Sequence, residues 1–298
     1  MPPLRAAPCV KAALALLLLT ARAAGAGEED PVERGGYLVR AGGCFSCHTV
    51  PDGQKLAGGR ALATPFGIFY TPNITADPET GIGSWTDGEF LRALREGIRP
   101  DGVNYFPVFP YTSFTRITNS DALAIKAYLF SLPAVHQENR PHDVSFPFSW
   151  RLLQTGWKLL FFFQGPFQLQ PGRSAAYNRG AYLVTALAHC GECHTPRNVL
   201  GATRSGQWLA GTRDGPDGQV VPNITPDPDT GIGKWDKEDV VELLRTGMTP
   251  EQSRVKGAMR EVVEDGLRYL REDDLAAIAD YLFAQPAIVH DVRPKIKP

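Results

Sequence analysis

The chain has almost no net charge and very little sulfur. Its 298 residues set 31 Lys and Arg against 32 Asp and Glu, a formal net charge of −1. There is therefore no electrostatic reason to expect nucleic acid as a partner. Long apolar runs are missing beyond the first residues, and no later stretch reaches the ~20 apolar residues that a membrane-crossing helix needs. Strand signals are sparse as well. Only three methionines and five cysteines occur, so the place of each carries information. At 43% hydrophobic residues a packed core is within reach, and the length suggests about two domains of ~150 residues each.

The one long apolar run lies at the start. In "MPPLRAAPCVKAALALLLLTARAAGAGEED", basic Arg5 and Lys11 precede an apolar stretch from Ala12 to Leu19, then Ala24-Gly25-Ala26. That order predicts a secretory signal peptide over 1–26, cleaved after Ala26, and hence export to the periplasm. Cleavage also removes Cys9. The four remaining cysteines fall in two identical frames.

"CFSCH" places Cys44, Cys47 and His48 in the first half, and "CGECH" places Cys190, Cys193 and His194 in the second. Cys-x-x-Cys-His is the attachment signature of c-type haem. Two thiols three residues apart share a helical turn, and each can form a thioether with a haem vinyl group. The adjacent histidine then supplies a neutral imidazole nitrogen to the iron. Two disulfides would not ask for a histidine after each pair. A single zinc module would not spread its cysteines over such a distance, and a thioredoxin-like strand and helix pattern is absent. Two covalently bound haem c groups are the expectation.

The halves repeat one another beyond these frames. "RGGYLVRAGGCFSCHT" (34–49) answers "RGAYLVTALAHCGECHT" (179–195), and "TPNITADPETGIGSWTDGEF" (71–90) answers "VPNITPDPDTGIGKWDKEDV" (221–240). "DALAIKAYLFSLP" (121–133) answers "DLAAIADYLFAQP" (274–286). Two copies of a whole domain are implied, and not a solenoid. Helices are predicted over 87–96, over the stretch capped by Ser120 and closed by Pro133, and from Asp274 onward. The predicted fold is all-α: two tandem cytochrome c class I-like domains, 27–140 and 173–298, joined by an apolar helical linker, 141–172. With so few strands, each haem should supply much of its domain's core, so that folding and haem attachment are coupled. In the doubled "PNIT-x-DP-x-TGIG-x-W" loop, Asn73, Trp85, Asn223 and Trp235 are candidates to meet the haem propionates; a plain surface turn is the alternative.

A sixth iron ligand is harder to place. Methionine in that position raises the reduction potential and suits electron transfer. Met259, after His194 and ahead of the last helix, is the candidate in the second half; Met248 closes a helix and reads as packing or a loop residue. In the first half "VNYFPVFPY" (103–111) has Phe109 where sulfur is expected, and phenylalanine cannot bind iron. Either that distal face is open, or His136, His142 or Tyr105 fills it. His189 is on the proximal side, and His290 is in the tail.

The doubled frames and loops, with "LAGG" (56–59), "HTPRN" (194–198) and "PFSWRLLQTGWKLLFF" between the halves, resemble the multihaem cytochrome c subunits of bacterial membrane-associated dehydrogenases. The resemblance covers roughly residues 33–290. That family passes electrons from alcohol, aldehyde, sugar-acid or molybdenum hydroxylase subunits toward the respiratory chain. It implies a periplasmic dehydrogenase partner and an acceptor that is a cytochrome, an oxidase or a quinone site. Its distal motif "P-x-M-P-Y" stands here as "PVFPY", and its "G-x-M-x-x-V" is matched by Gly257, Met259 and Val262. The apolar stretch 146–167 is predicted as a helix buried against both domains, against a partner, or at a lipid surface as a peripheral membrane contact. The leading reading is an electron-transfer protein, in which the iron carries the chemistry and no catalytic side chains are needed. A haem enzyme acting on peroxide, a sulfur oxyanion or nitrite at the first site, with Tyr105, Arg99 or Arg116 nearby, is the second reading, and a gas or redox sensor the third.

Overall fold

An Arg-Gly-x-Tyr run lies in the opening helix of each half. Asp30 accepts a hydrogen bond from the Val32 amide (2.9 Å) and Pro31 sits in the first turn, so helix α1 (Pro31–Ala41) begins there. Ser174 caps the equivalent α7 (Ala175–Tyr182), which continues as a π-helical turn, Leu183–Leu187. Helix α1 packs on α5 (Asn119–Ser131), and α7 packs on α11 (Glu272–Phe283). Both crossings are close because each first helix offers a glycine. A Cβ on Gly35 would lie 1.9 Å from the Ala124 carbonyl oxygen, and one on Gly180 would lie 1.8 Å from that of Ala277.

These relations come from a computed structural model that describes residues 29–293. The predicted signal peptide and Cys9 lie outside the described residues. Between the paired helices run α2 (Cys44–His48), strands β1 (Ala61–Thr64) and β2 (Gly67–Tyr70), α3 (Asp87–Glu96), α4 (Tyr111–Phe114), α6 (Leu152–Phe161), α8 (Gly191–His194), α9 (Lys237–Thr246) and α10 (Gly257–Asp265). Helices α3 and α9 carry reciprocal caps, Thr86 with Glu89 and Asp236 with Asp239, and both end on left-handed glycines, Gly97 and Gly247.

The fold is mostly helical. It departs from the all-α expectation in one antiparallel hairpin, β1 to β2, registered Ala61 on Tyr70 and Thr64 on Gly67. Helix α5 is capped by Thr118, whose hydroxyl accepts the Asp121 amide (3.1 Å), and not by Ser120, which lies inside the helix. The 146–167 stretch is helical only over Leu152–Phe161; Phe162 is extended and Gly165-Pro166 follow, a pair poorly suited to continuing a helix. Among the described residues no helix is long and apolar enough to cross a membrane.

The buried apolar residues form one cluster that runs through both halves, with Leu38, Ile125 and Leu129 from the first and Leu183, Leu187, Leu275 and Ile278 from the second. The halves also exchange tyrosines. Asp121 on α5 is held by Arg34 of its own half (Nε to Oδ1, 2.7 Å) and by Tyr182 of the other (Oη to Oδ2, 2.5 Å). Asp274 on α11 mirrors this, held by Arg179 (2.6 and 2.7 Å) and by Tyr37. Each tyrosine oxygen also accepts an amide at the start of the partner helix, Thr118 on Tyr182 and Arg271 on Tyr37, both at 3.2 Å. The reciprocal pattern is that of a two-fold-related contact, in which residue i meets j and j meets i.

Candidate haem-binding sites

The chemistry of each site begins with a histidine whose proton is already placed. His48 Nδ1 lies 2.8 Å from the Pro72 carbonyl oxygen, and His194 Nδ1 lies 2.9 Å from that of Pro222. A carbonyl can only accept, so each Nδ1 carries the hydrogen and each Nε2 keeps its lone pair free for a metal. Burial pushes both imidazoles below their ordinary range, which keeps them neutral.

The carbonyls come within reach because of two left-handed glycines. Gly58 (φ 77°) and Gly211 (φ 80°) donate their amides to the His48 and His194 carbonyls at 2.8 and 2.7 Å. A Cβ there would stand 2.4 Å from the Pro72 carbonyl carbon in the first half, and 2.5 Å from the Asn223 nitrogen in the second. Only glycine combines that dihedral with that approach.

All four cysteines are unbridged thiols. Burial pushes the Cys44 and Cys190 thiols up to about 12. Among the described residues no cluster of three or more His, Cys, Asp or Glu is placed to hold a metal ion on its own. Two free thiols on one turn beside an imidazole with an open Nε2 are the donor set that covalent haem requires, and it is present twice. The residues present fit the group.

The asparagines of the doubled loop are hydrogen-bonded within the protein. Asn73 Nδ2 donates to Thr80 Oγ1 (3.0 Å) and the Val135 carbonyl (2.7 Å), while its Oδ1 accepts from the Thr75 amide and hydroxyl (2.9 and 2.8 Å). Asn223 does the same with Thr230, the Ile288 carbonyl and Thr225. Both side chains have thus used every donor and acceptor within the protein, which leaves none for a propionate. They bolt the loop to the segment that follows the last helix of each half. Trp85 and Trp235 are half-buried against the core at the end of these loops.

Over the segments that carry Phe109 and Met259 the two halves can be registered from their backbone bonds. The Tyr105 amide donates to the Gly97 carbonyl (2.8 Å) as the Val255 amide donates to Gly247 (2.9 Å). Phe109 and Met259 each follow four residues later, and both are half-buried against the core. By the same register Met248, bridged to Arg254, matches Ile98, bridged to Asn104. Phe109 lies among aromatic rings, 5.2 Å from Tyr105 and 5.8 Å from Phe114 between centroids.

The histidines considered for the first site are engaged elsewhere. His136 is exposed beside Asp77 (3.5 Å) and Glu79 (3.8 Å). His142 accepts the Tyr70 amide on Nδ1 (3.1 Å) and meets Phe69 and Phe106 edge-on. His290 donates to the Ala210 carbonyl (2.9 Å), as Gln137 does to Ala57 (3.0 Å) in the first half. His189 packs on Phe114 at 5.4 Å. Burial pushes the Tyr105 phenol up to about 12.

Sequence reasoning missed the groups that tie each haem frame to the opposite half. Glu192, inside "CGECH", accepts from Thr112 and Ser113 (both 2.7 Å) just beyond Phe109, and from Arg197 (2.6 Å). Burial alone would raise its carboxyl, but Arg197 and the two hydroxyls outweigh that and hold it below the usual range. In the first frame Arg60 donates to the Ser46 carbonyl and to Glu261, both at 2.5 Å, and Glu261 lies just beyond Met259. A carboxylate within one frame and not the other was the available signal.

No protein-family model matches the chain. It is 43% identical over 270 residues to a dihaem c-type cytochrome of Cereibacter sphaeroides, covering 88% of each chain. It is 44% identical over 256 residues to one of the subunits of nicotinate dehydrogenase from Pseudomonas putida, covering 84% of this chain and 21% of that protein. To the fructose dehydrogenase cytochrome subunit of Gluconobacter japonicus it is 41% identical over 259 residues, 86% of this chain and 53% of that subunit. The chain thus spans nearly all of one relative, about half of another and about a fifth of the third.

Proposed function

This chain belongs to the dihaem c-type cytochromes and carries two covalently bound haem c groups, and from that premise we propose that it relays electrons from a partner dehydrogenase to the respiratory chain. The observation that carries the reading is the pair of attachment frames, each tied by hydrogen bonds to the distal segment of the opposite half. Several relatives are named as cytochrome subunits of fructose, alcohol and gluconate dehydrogenases.

In this reading 27–140 and 173–298 are the two haem domains and 141–172 the apolar linker. Cys44 and Cys47, and Cys190 and Cys193, form the thioethers. His48 and His194 are the proximal ligands, and Met259 the sixth ligand of the second site. The bound iron supplies one-electron redox chemistry. The protein orients each imidazole through Pro72 or Pro222, excludes water with the shared core, and sets the two sites apart through Phe109 and Met259. Export by the 1–26 signal places the protein in the periplasm. Leu152, Leu159, Leu160 and Phe163, 62–83% exposed on and just beyond α6, offer an apolar face to the dehydrogenase or to a membrane surface.

The test is a redox titration of the purified holoprotein, followed by reduction with the dehydrogenase encoded beside it and that enzyme's substrate. Two one-electron waves of unequal midpoint, and reduction of both haems only when dehydrogenase and substrate are present together, are expected. A single wave, or no reduction by that enzyme, overturns the reading.

A further inference from the structure

Helix α6 leaves most of its leucines exposed, and three polar side chains on it or at its start converge on one residue of the first half. Asn104 opens the segment that ends in Phe109-Pro110-Tyr111. Its Oδ1 accepts from Lys158 Nζ (2.7 Å), its Nδ2 donates to Thr155 Oγ1 (3.0 Å), and its carbonyl accepts from Arg151 Nη1 (3.0 Å). Lys158 also donates to the Glu96 and Gly97 carbonyls at the end of α3. The Arg151 guanidinium lies 3.8 Å over the Phe106 ring, and Phe162 meets Tyr111 edge-on at 5.1 Å. The far side of α6 is pinned to the second half, where Trp157 Nε1 donates to the Leu200 carbonyl (2.8 Å).

The second half shows nothing comparable among the described residues. Arg254, the counterpart of Asn104, is exposed, as is Lys256, while Phe106 and Tyr111 are buried. The half with phenylalanine in place of Met259 is therefore the one that carries this additional helix across the segment.

We propose that α6 is a strap that fixes the distal segment of the first half and thereby keeps that haem closed to small external ligands, the task that the Met259 thioether performs in the second half. This rests on the reading of Met259 as a sixth ligand. Coordination tethers a loop by a bond to the iron; the strap tethers it by side-chain hydrogen bonds and two aromatic contacts. Asn104, Thr155 and Lys158 are positioning residues, acting on the segment and not on the iron.

Carbon monoxide binding to the fully reduced holoprotein, followed by stopped flow, tests this. Wild type should bind carbon monoxide slowly. Asn104→Ala should speed binding at one haem by tenfold or more, with the midpoint of the other haem unmoved. Thr155→Val, at an exposed position, keeps the test available if Asn104→Ala folds poorly, and should speed binding severalfold. Fast binding already in wild type, or unchanged rates in both variants, overturns the strap. Met259→Ala separates the two readings: an unchanged redox titration there refutes methionine ligation alone, because the strap is decided by the Asn104 and Thr155 rates.

Discussion

The exchange of tyrosines between the halves makes a quantitative prediction. Tyr182→Phe removes one hydroxyl that donates to Asp121 Oδ2 at 2.5 Å and accepts the Thr118 amide at 3.2 Å. Tyr182 is 7% exposed and Asp121 2%, so water cannot easily replace either bond. A hydrogen bond to a charged group is worth ~1.5–3 kcal/mol, and leaving a buried acceptor unmet brings the cost to the upper part of that range. Arg34 still holds the other carboxylate oxygen, so a loss of about 2.5 kcal/mol is expected. For a protein of this size that is a fall of ~4–5 °C in Tm. Thermal unfolding of the holoprotein, followed by circular dichroism, reads it. Tyr37→Phe should cost less, because Tyr37 is only half-buried. A Tyr182→Phe Tm within ~1 °C of wild type refutes the reasoning. So does strict additivity with Asp121→Asn, since residues in one hydrogen-bonded network should show coupling.

Acid should weaken the same contacts. Asp274 is held below the usual carboxylate range: burial would raise it, but the Arg179 and Tyr37 hydrogen bonds outweigh burial. Glu192 is held down by Arg197, Thr112 and Ser113 against its own burial. A depressed folded value means that the unfolded chain takes up protons first. The stabilisation is therefore complete above the ordinary range near pH 4, and is lost as pH falls below it; a Tm series from pH 6 to 3 should show a steep drop below about 4.5. Met259→Ala should lower the midpoint of one haem and leave the other, in a potentiometric titration. Gly211→Ala forces a left-handed dihedral and a backbone clash at 2.5 Å, a cost of at least ~1–3 kcal/mol; mass spectrometry should find part of the exported protein with one haem instead of two.

What could be read early was local. Cys44, Cys47 and His48 lie within five residues, and their chemistry follows from spacing along one turn, as it does at Cys190, Cys193 and His194. Helix α3 was legible over 87–96 because its cap and its terminating glycine are sequence neighbours. The hairpin at 61–70 escaped because each strand is only four residues long, too short for an alternating pattern to stand out. The partners of Asn73 escaped because a polar side chain in a loop does not declare which way its amide points.

The amino-acid sequence by itself determined the two cofactors, the repeat and the scarcity of methionine, since each depends on residue identity and short spacing. Tertiary structure alone decided that Tyr37 serves Asp274, that Tyr182 serves Asp121, and that α6 grips Asn104. Those partners are 47 to 237 residues apart along the chain. No local propensity encodes them, because the free energy that pairs them appears only once burial has removed the competing water.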